Sequence, residues 1–186
     1  MGAESQPWPW FAIQARTGRE KYATSFVQDA GYEVYMPVSR CDRRWSDRTK
    51  RVDVPLFPGY FFCRMNPNHR LPVLMAPGVI QIVGIGKAPT PVGEGEISAI
   101  QRAEQSSLPI TPWPYLQVGQ PARIVEGPLK GLRGTVVQVK SWMKLVLSVS
   151  LLQRSVAVEM DHSWVEYAVE RSSVVDGPRQ DGRVPI

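Results

Sequence analysis

Cysteine and histidine are nearly absent from this 186-residue chain, with two of each, and the scarcity removes whole classes of chemistry. Cys41 and Cys63 stand far apart, and neither has a second Cys or a His at ligand spacing, so no zinc site is expected. In a reducing compartment two such thiols stay free. Cys63, inside "YFFCRM", is expected to act as a small core hydrophobe. Apolar runs approaching the roughly 18 residues of a membrane span are missing. The opening "MGAESQPWPW" lacks the basic and apolar regions of a signal peptide, and Gln6 stands where a myristoylation motif requires Ser or Thr. A cytoplasmic protein is expected. Catalytic groupings are equally scarce. "DHS", 161–163, has the letters of a hydrolase triad, but adjacent positions cannot converge on one another. "EGPLKGLRG", 126–134, is glycine-rich and basic, yet it fails the phosphate-loop pattern and lies between two β segments. Its glycines are better explained as turn positions. With no paired carboxylates in an apolar setting, no catalytic residue, metal or cofactor is expected, and the chain is read as a non-enzyme.

What is present is positive charge in one place. The formal net charge is +5, and residues 40–51, "RCDRRWSDRTKR", hold six basic residues against two acidic ones. The polar "SDRTK" predicts a turn between two extended arms, and ten extended residues reach about 33 Å. Arg43, Arg44, Arg48, Lys50 and Arg51 with Trp45 near the tip combine cations and an aromatic, the pattern of a single-stranded nucleic-acid contact. Directly afterwards comes "VPLFPGYFF", 54–62, an apolar run broken by Pro58-Gly59. Large aromatics of this kind serve either a core or a docking surface.

Along the rest of the chain, "WFAIQAR", 10–16, predicts a strand. Thr17 and Glu20 have capping-box spacing. Tyr22, Ala23, Phe26, Val27 and Ala30 then predict one buried helix face, stopped by Gly31. "YEVYMPV", "RVDVPLF" and "YFFCRM" predict strands, the last of them central. "HRLPVLMA" predicts a short helix entered through Pro72, "VIQIVGI" a strand, and "EGEISAIQRAEQ" a helix burying Ile97, Ile100 and Ala103. Residues 106–117 are proline-rich without periodicity and predict a linker. Beyond it "PARIV", "GTVVQV", "KLVLSVSL", "SVAVEM" and "SWVEY" predict five short strands forming a small closed or partly open barrel. Leu145, Leu147, Val149 and Leu151 alternate toward its interior. Residues 168–186 lack periodicity and predict a mobile tail.

These segments resemble a known family. "WFAIQARTGRE", "PLFPGYFFCRM" and "APGVIQIVGIGKAPTPVGEGEI" occur in the order found in the N-terminal (NGN) domain of NusG-type transcription elongation factors. "VGQPARIVEGPLKGLRGTVVQV" and the residues beyond it, to about residue 167, resemble their KOW domain. The resemblance implies an α+β protein: an NGN domain over 8–105 with an antiparallel sheet and flanking helices, a linker over 106–117, and an SH3-like KOW barrel over 118–167. It implies that Trp10, Phe11, Phe57, Pro58 and Tyr60 dock on the clamp helices of RNA polymerase, with His69 and Arg70 near the gate loop. Arg16, Arg19 and the hairpin basics become candidates for the non-template DNA strand. Leu151, Leu152, Gln153 and Arg154 match the loop that in general members reads Phe-Gly-Arg and contacts a small-subunit ribosomal protein or Rho.

Leu152 and Gln153 depart from that reading, and replacing Phe by Leu forfeits aromatic contacts worth about 1 kcal/mol. With the wording "RRWSDR…PLFPGYFFCR", the departure looks more like the specialised paralogues that antiterminate long polysaccharide-type operons. The expected function is antitermination at selected operons. A general housekeeping factor and a ribosome-associated KOW protein binding ribosomal RNA stay open as alternatives.

Overall fold

The structure, a computed structural model, describes residues 8–44, 49–86, 88–113, 115, 119–139 and 142–167. In chain order its elements are β1 (Trp10–Ala15), α1 (Glu20–Asp29), β2 (Glu33–Tyr35), β3 (Val38–Arg44), β4 (Thr49–Pro55), β5 (Tyr60–Arg64), α2 (Leu71–Met75), β6 (Val79–Ile82), β7 (Gly84–Ile85), β8 (Ala88–Pro89), β9 (Pro91–Val92), α3 (Glu94–Gln105), β10 (Ile110–Trp113), β11 (Gln120–Ile124), β12 (Arg133–Val139), β13 (Trp142–Val149), β14 (Arg154–Met160) and β15 (Val165–Tyr167).

The N-terminal sheet has the order β2-β5-β1-β6, with β9 also paired to β1. "YFFCR" is therefore an inner strand, as its unbroken apolar run predicts for a strand covered on both faces. On one face Phe11, Ile13, Phe61 and Cys63 pack under Ala23 and Val27 of α1 and Val73 of α2. On the other, Trp10, Ala12, Phe57 and Phe62 pack with Ile97 and Ile100 of α3. Alternate residues of β1 thus point into two different cores. The helix predicted over 69–76 is present in shorter form as Leu71–Met75, that predicted over 94–105 is present in full, and Ile97, Ile100 and Ala103 are fully buried.

α1 departs from its pattern. Ala23 and Val27 are buried, but Tyr22, Phe26 and Ala30 are exposed. The buried stripe is instead Glu20, Ala23, Thr24 and Val27. The predicted capping box is not made either: Arg19 precedes the helix with no side-chain cap, and Glu20 turns inward to accept a hydrogen bond from the Gly59 amide at 2.8 Å.

All five predicted C-terminal strands form, but they do not close into a barrel. The sheet runs β10-β14-β13-β12-β11-β15, and among the described residues no pairing joins its ends. The reason lies in the proline-rich stretch expected to be a linker. Its residues 110–113 form β10 and pair with β14 from Ile110↔Val158 to Trp113↔Ser155. The edge of β14 that closure would need is therefore occupied. Pro112 has no amide hydrogen to give, which suits β10 to an edge position.

Leu145, Leu147 and Val149 are buried and Leu151 is partly buried, as their alternation predicts. Gly127 and Gly131 adopt positive φ, +71° and +89°, as turn glycines should, and a Cβ on Gly127 would lie 2.7 Å from the Trp164 ring. Both sheets share one core: the cluster holding Trp10, Phe57 and Phe62 continues through α3 into Leu145, Leu147 and Val156. Among the described residues no helix is long and apolar enough to cross a membrane.

Candidate docking face and nucleic-acid contacts

Four aromatic rings run across the α3 side of the N-terminal sheet. Trp10 meets Tyr35 edge-on at 6.3 Å between centroids, Tyr35 stacks on Phe62 at 6.2 Å, and Phe57 meets Phe62 edge-on at 5.7 Å. Arg64 lies over the Trp10 ring at 4.8 Å and reaches Glu33 and Glu94. Glu104 of α3 fastens the edge of this cluster, accepting from the Tyr35 hydroxyl at 2.8 Å and the Val38 amide at 3.2 Å. Burial, and then the neighbouring Glu104 carboxylate, drive the Tyr35 phenol well above its ordinary range, so it stays a donor.

The Pro58-Gly59 turn sets where Tyr60 emerges from this face. Gly59 has φ +82°, a backbone that L side chains rarely adopt. Its amide is held by the buried Glu20 and its carbonyl accepts from the Ala15 amide at 2.8 Å. No simple sequence pattern flags Glu20 for this task, because its spacing from Thr17 matches a helix cap instead.

Of the residues assigned to docking, Trp10, Phe57 and Tyr60 come together on this face. Phe11 does not, because it points into the α1/α2 core. Pro58 is exposed, Tyr60 is partly buried, and Trp10 and Phe57 are buried. His69 and Arg70 are exposed on the α1/α2 side of the sheet, where the Tyr32 hydroxyl donates to the His69 carbonyl at 2.7 Å.

The loop of the C-terminal sheet lies against the same face. Leu151 and Leu152 pack on the shared core. The Arg154 guanidinium sits over the Tyr60 ring at 5.1 Å. The Ser150 amide donates to Glu96 at 3.1 Å, and Arg102 donates to the Lys130 carbonyl at 2.6 Å. Gln153 occupies the left-handed region at φ +48° and turns the loop. The aromatic face and the loop residues 151–154 thus meet at Tyr60, under the Arg154 guanidinium.

For nucleic acid the placement is mixed. The basic hairpin exists as the pair β3-β4, with Arg43 opposite Lys50 and Asp42 opposite Arg51 in register. Trp45 and Arg48 lie outside the described residues, as do the side chains of Arg43, Arg44, Lys50 and Arg51. Arg16 and Arg19 are exposed at the entry to α1.

The family model described as "Transcription termination factor nusG" matches residues 9–101, half of the chain. The chain belongs to the NusG family. It is 28% identical over 172 residues to the transcription termination/antitermination protein NusG of Helicobacter pylori strain 26695, covering 84% of this chain and 97% of that one. It is 28% identical over 173 residues to the protein of that name in Escherichia coli K12, with 86% and 96% covered. Among solved structures it resembles that of Thermotoga maritima NusG, titled for its domain interaction, with a TM-score of 0.50, 22% identity and 85% and 96% coverage. That likeness bears on the fold alone. NusG-family proteins are non-catalytic transcription factors, which agrees with the shortage of catalytic groups in the sequence.

Proposed function

We propose that the chain binds elongating RNA polymerase at its clamp helices through the face built from Trp10, Phe57, Pro58 and Tyr60, and so suppresses pausing and termination. Membership of the family supplies the coarse role, a NusG-type part in transcription elongation and antitermination. The observation that carries the docking reading is the aromatic row from Trp10 to Phe57, ending at Tyr60, whose ring is held by a guanidinium from the other sheet. Trp10 and Phe57 are buried in the core that includes α3, and Tyr60, at the end of the row, is partly covered by Arg154 of the C-terminal sheet. Polymerase and the C-terminal loop therefore compete for Tyr60, and docking through that ring requires Arg154 to leave it.

His69 and Arg70 are proposed to reach the gate loop from the opposite side of the sheet, and Arg16, Arg19 and the β3-β4 hairpin the non-template strand. Once released, Leu151, Leu152, Gln153 and Arg154 are free for a second partner, a small-subunit ribosomal protein or Rho. Restriction to selected operons rests on Leu152, Gln153 and the "RRWSDR…PLFPGYFFCR" wording, and occupancy mapping across transcribed genes tests it. For docking, Tyr60→Ala decides the matter. An aromatic anchor is worth about 2 kcal/mol, so polymerase affinity should fall about 30-fold in a variant that keeps its far-ultraviolet spectrum. Unchanged affinity removes this face from the mechanism.

A further inference from the structure

We infer that the segment joining the two sheets is a tether of two lengths, set by whether β10 is paired with β14. α3 ends at Gln105, β10 starts at Ile110 and β11 starts at Gln120. While β10 lies on β14, only residues 106–109 join α3 to the C-terminal sheet, and at about 3.5 Å per residue they reach about 14 Å. They are wound tighter than that. The Ser106 hydroxyl donates to the Ala103 carbonyl at 2.6 Å and accepts from the Leu108 amide at 3.3 Å, and Ser107 takes the left-handed region at φ +60°. With β10 off β14 the joining stretch becomes 106–119, which reaches about 49 Å. Four paired residues thus change the reach of the C-terminal sheet roughly threefold.

β10 is placed to separate from β14 and stay with the N-terminal sheet. The Glu159 amide donates to the Pro109 carbonyl at 3.1 Å, and in an antiparallel ladder alternate residues exchange bonds with the partner strand. Thr111 and Trp113 therefore face β14, opposite Ala157 and Ser155. They supply the two amide donors that this stretch turns toward β14, because Pro109 has none. On its other side β14 is paired with β13 through seven residues, Met143 to Val149. Facing away from β14, the Ile110 carbonyl accepts from the buried Ser39 hydroxyl of β3 at 2.8 Å, and the Ile110 side chain lies in the shared core. Trp113 holds the far end of β10. Lys144 Nζ lies over its ring at 4.8 Å and pairs with Glu159 at 3.1 Å. The Trp113 indole N–H, however, is buried with no acceptor, a cost that is relieved when the ring reaches water. β10 is thus held to β14 by few bonds, and to the N-terminal side by Ser39, the core and the chain itself. Parting of the sheets strips it from β14.

The two-length tether takes only its trigger, polymerase, from the proposed function. Amide exchange followed by NMR on the full chain tests the pairing without polymerase. By the same alternation the Ser155, Ala157 and Glu159 amides face β10, and those of Val156 and Val158 face β13. The first three should exchange at least about tenfold faster than the other two, since local opening needs less free energy than opening the sheet, and Trp113→Ala should widen the gap. Equal rates in the two sets would mean that β10 leaves only when the whole sheet unfolds, and would overturn the tether. Its reach is read by energy transfer between dyes at Ser25 of α1 and Glu166 of β15. Polymerase should lower the transfer in the wild-type chain. A disulfide from Ile110→Cys with Val158→Cys, a directly opposed pair of the kind whose side chains approach closely, should keep most of it, and reducing that bond should restore the fall. A locked chain whose transfer falls as far as that of the wild type overturns the two lengths. Unchanged polymerase affinity in Tyr60→Ala counts against the docking face and not against the tether, which the exchange rates decide alone.

Discussion

The two sheets are covered differently, and the difference explains which of them could be read strand by strand. In the N-terminal sheet β1 and β5 are buried almost throughout, because α1 and α2 lie on one face and α3 with the C-terminal sheet on the other. In the C-terminal sheet β11 alternates between exposed and buried residues, as a strand with one wet face does. β14, which lies between β10 and β13, is buried through Ser155–Val158. In the N-terminal sheet continuous burial thus marks strands covered on both faces, and the candidate docking face lies there.

The sharpest way to break this comparison is to empty each layer in turn. Phe62→Ala should cost about 3–5 kcal/mol in urea unfolding, as large aromatic truncations in closed cores do. Val136→Ala, on a strand covered on one side, should cost about 1.5 kcal/mol at about 0.8 kcal/mol per buried CH₂. Equal costs, from side chains of such different size, would mean that the C-terminal sheet is packed the more tightly of the two. Glu20→Ala should come next, at about 1–3 kcal/mol, because it leaves the Gly59 amide buried without an acceptor. The same variant should weaken polymerase binding by misplacing Tyr60, which a purely global destabilisation would not do at temperatures where the chain stays folded.

Smaller effects test whether the two sheets compete with a partner. Arg154→Ala with Glu96→Ala removes a cation–π contact and an exposed hydrogen bond, each worth about 0.5–1 kcal/mol. Loosening the closed arrangement by that amount should raise polymerase affinity several-fold, measured by titration. Unaltered affinity would show that the closed arrangement does not oppose docking.

The smallest expected effect concerns Cys63. Burial, and then the nearby Glu33 carboxylate, push its thiol up from 9.0 to about 12. The fold favours the neutral thiol, so this contribution to stability is complete below pH 9 and is lost as pH rises toward 12. Iodoacetamide at about pH 8, below the ordinary thiol range, should therefore leave Cys63 unmodified in the native chain, as located by peptide mass, and label it on unfolding. Labelling in the native state would show that the sheet opens locally.

Much of the fold was legible because it rests on local patterns. "YFFCRM" announces an inner strand, "EGEISAIQRAEQ" a helix with one apolar face, and "GTVVQV" and "KLVLSVSL" β strands, since burial periodicity repeats within each segment. α1 defeats its pattern at Tyr22 and Phe26, whose spacing is compatible with the buried stripe yet falls on its flank. At about 100° per residue a change of one position decides which way a ring points. The barrel failed for another reason: closure depends on which strand takes the edge of β14, and nothing in "SVAVEM" says that residues 110–113 will take it. Of the candidate site, Trp10, Phe57 and Tyr60 lie on one face, while Phe11, which the resemblance grouped with them, is parted from Trp10 by the two-residue period of the strand.

By itself, then, the sequence determined element types, the shared family, the absence of catalytic chemistry and the concentration of charge at the hairpin, because each of these is carried by residues close together in the chain. Only the tertiary structure decided that the C-terminal sheet stays open, that Glu20 holds the Gly59 turn, and that Arg154 lies over Tyr60. Those outcomes join residues roughly 40 to 90 positions apart, and they are settled by competition among alternative partners for the same strand edge, amide or ring, which no local pattern encodes.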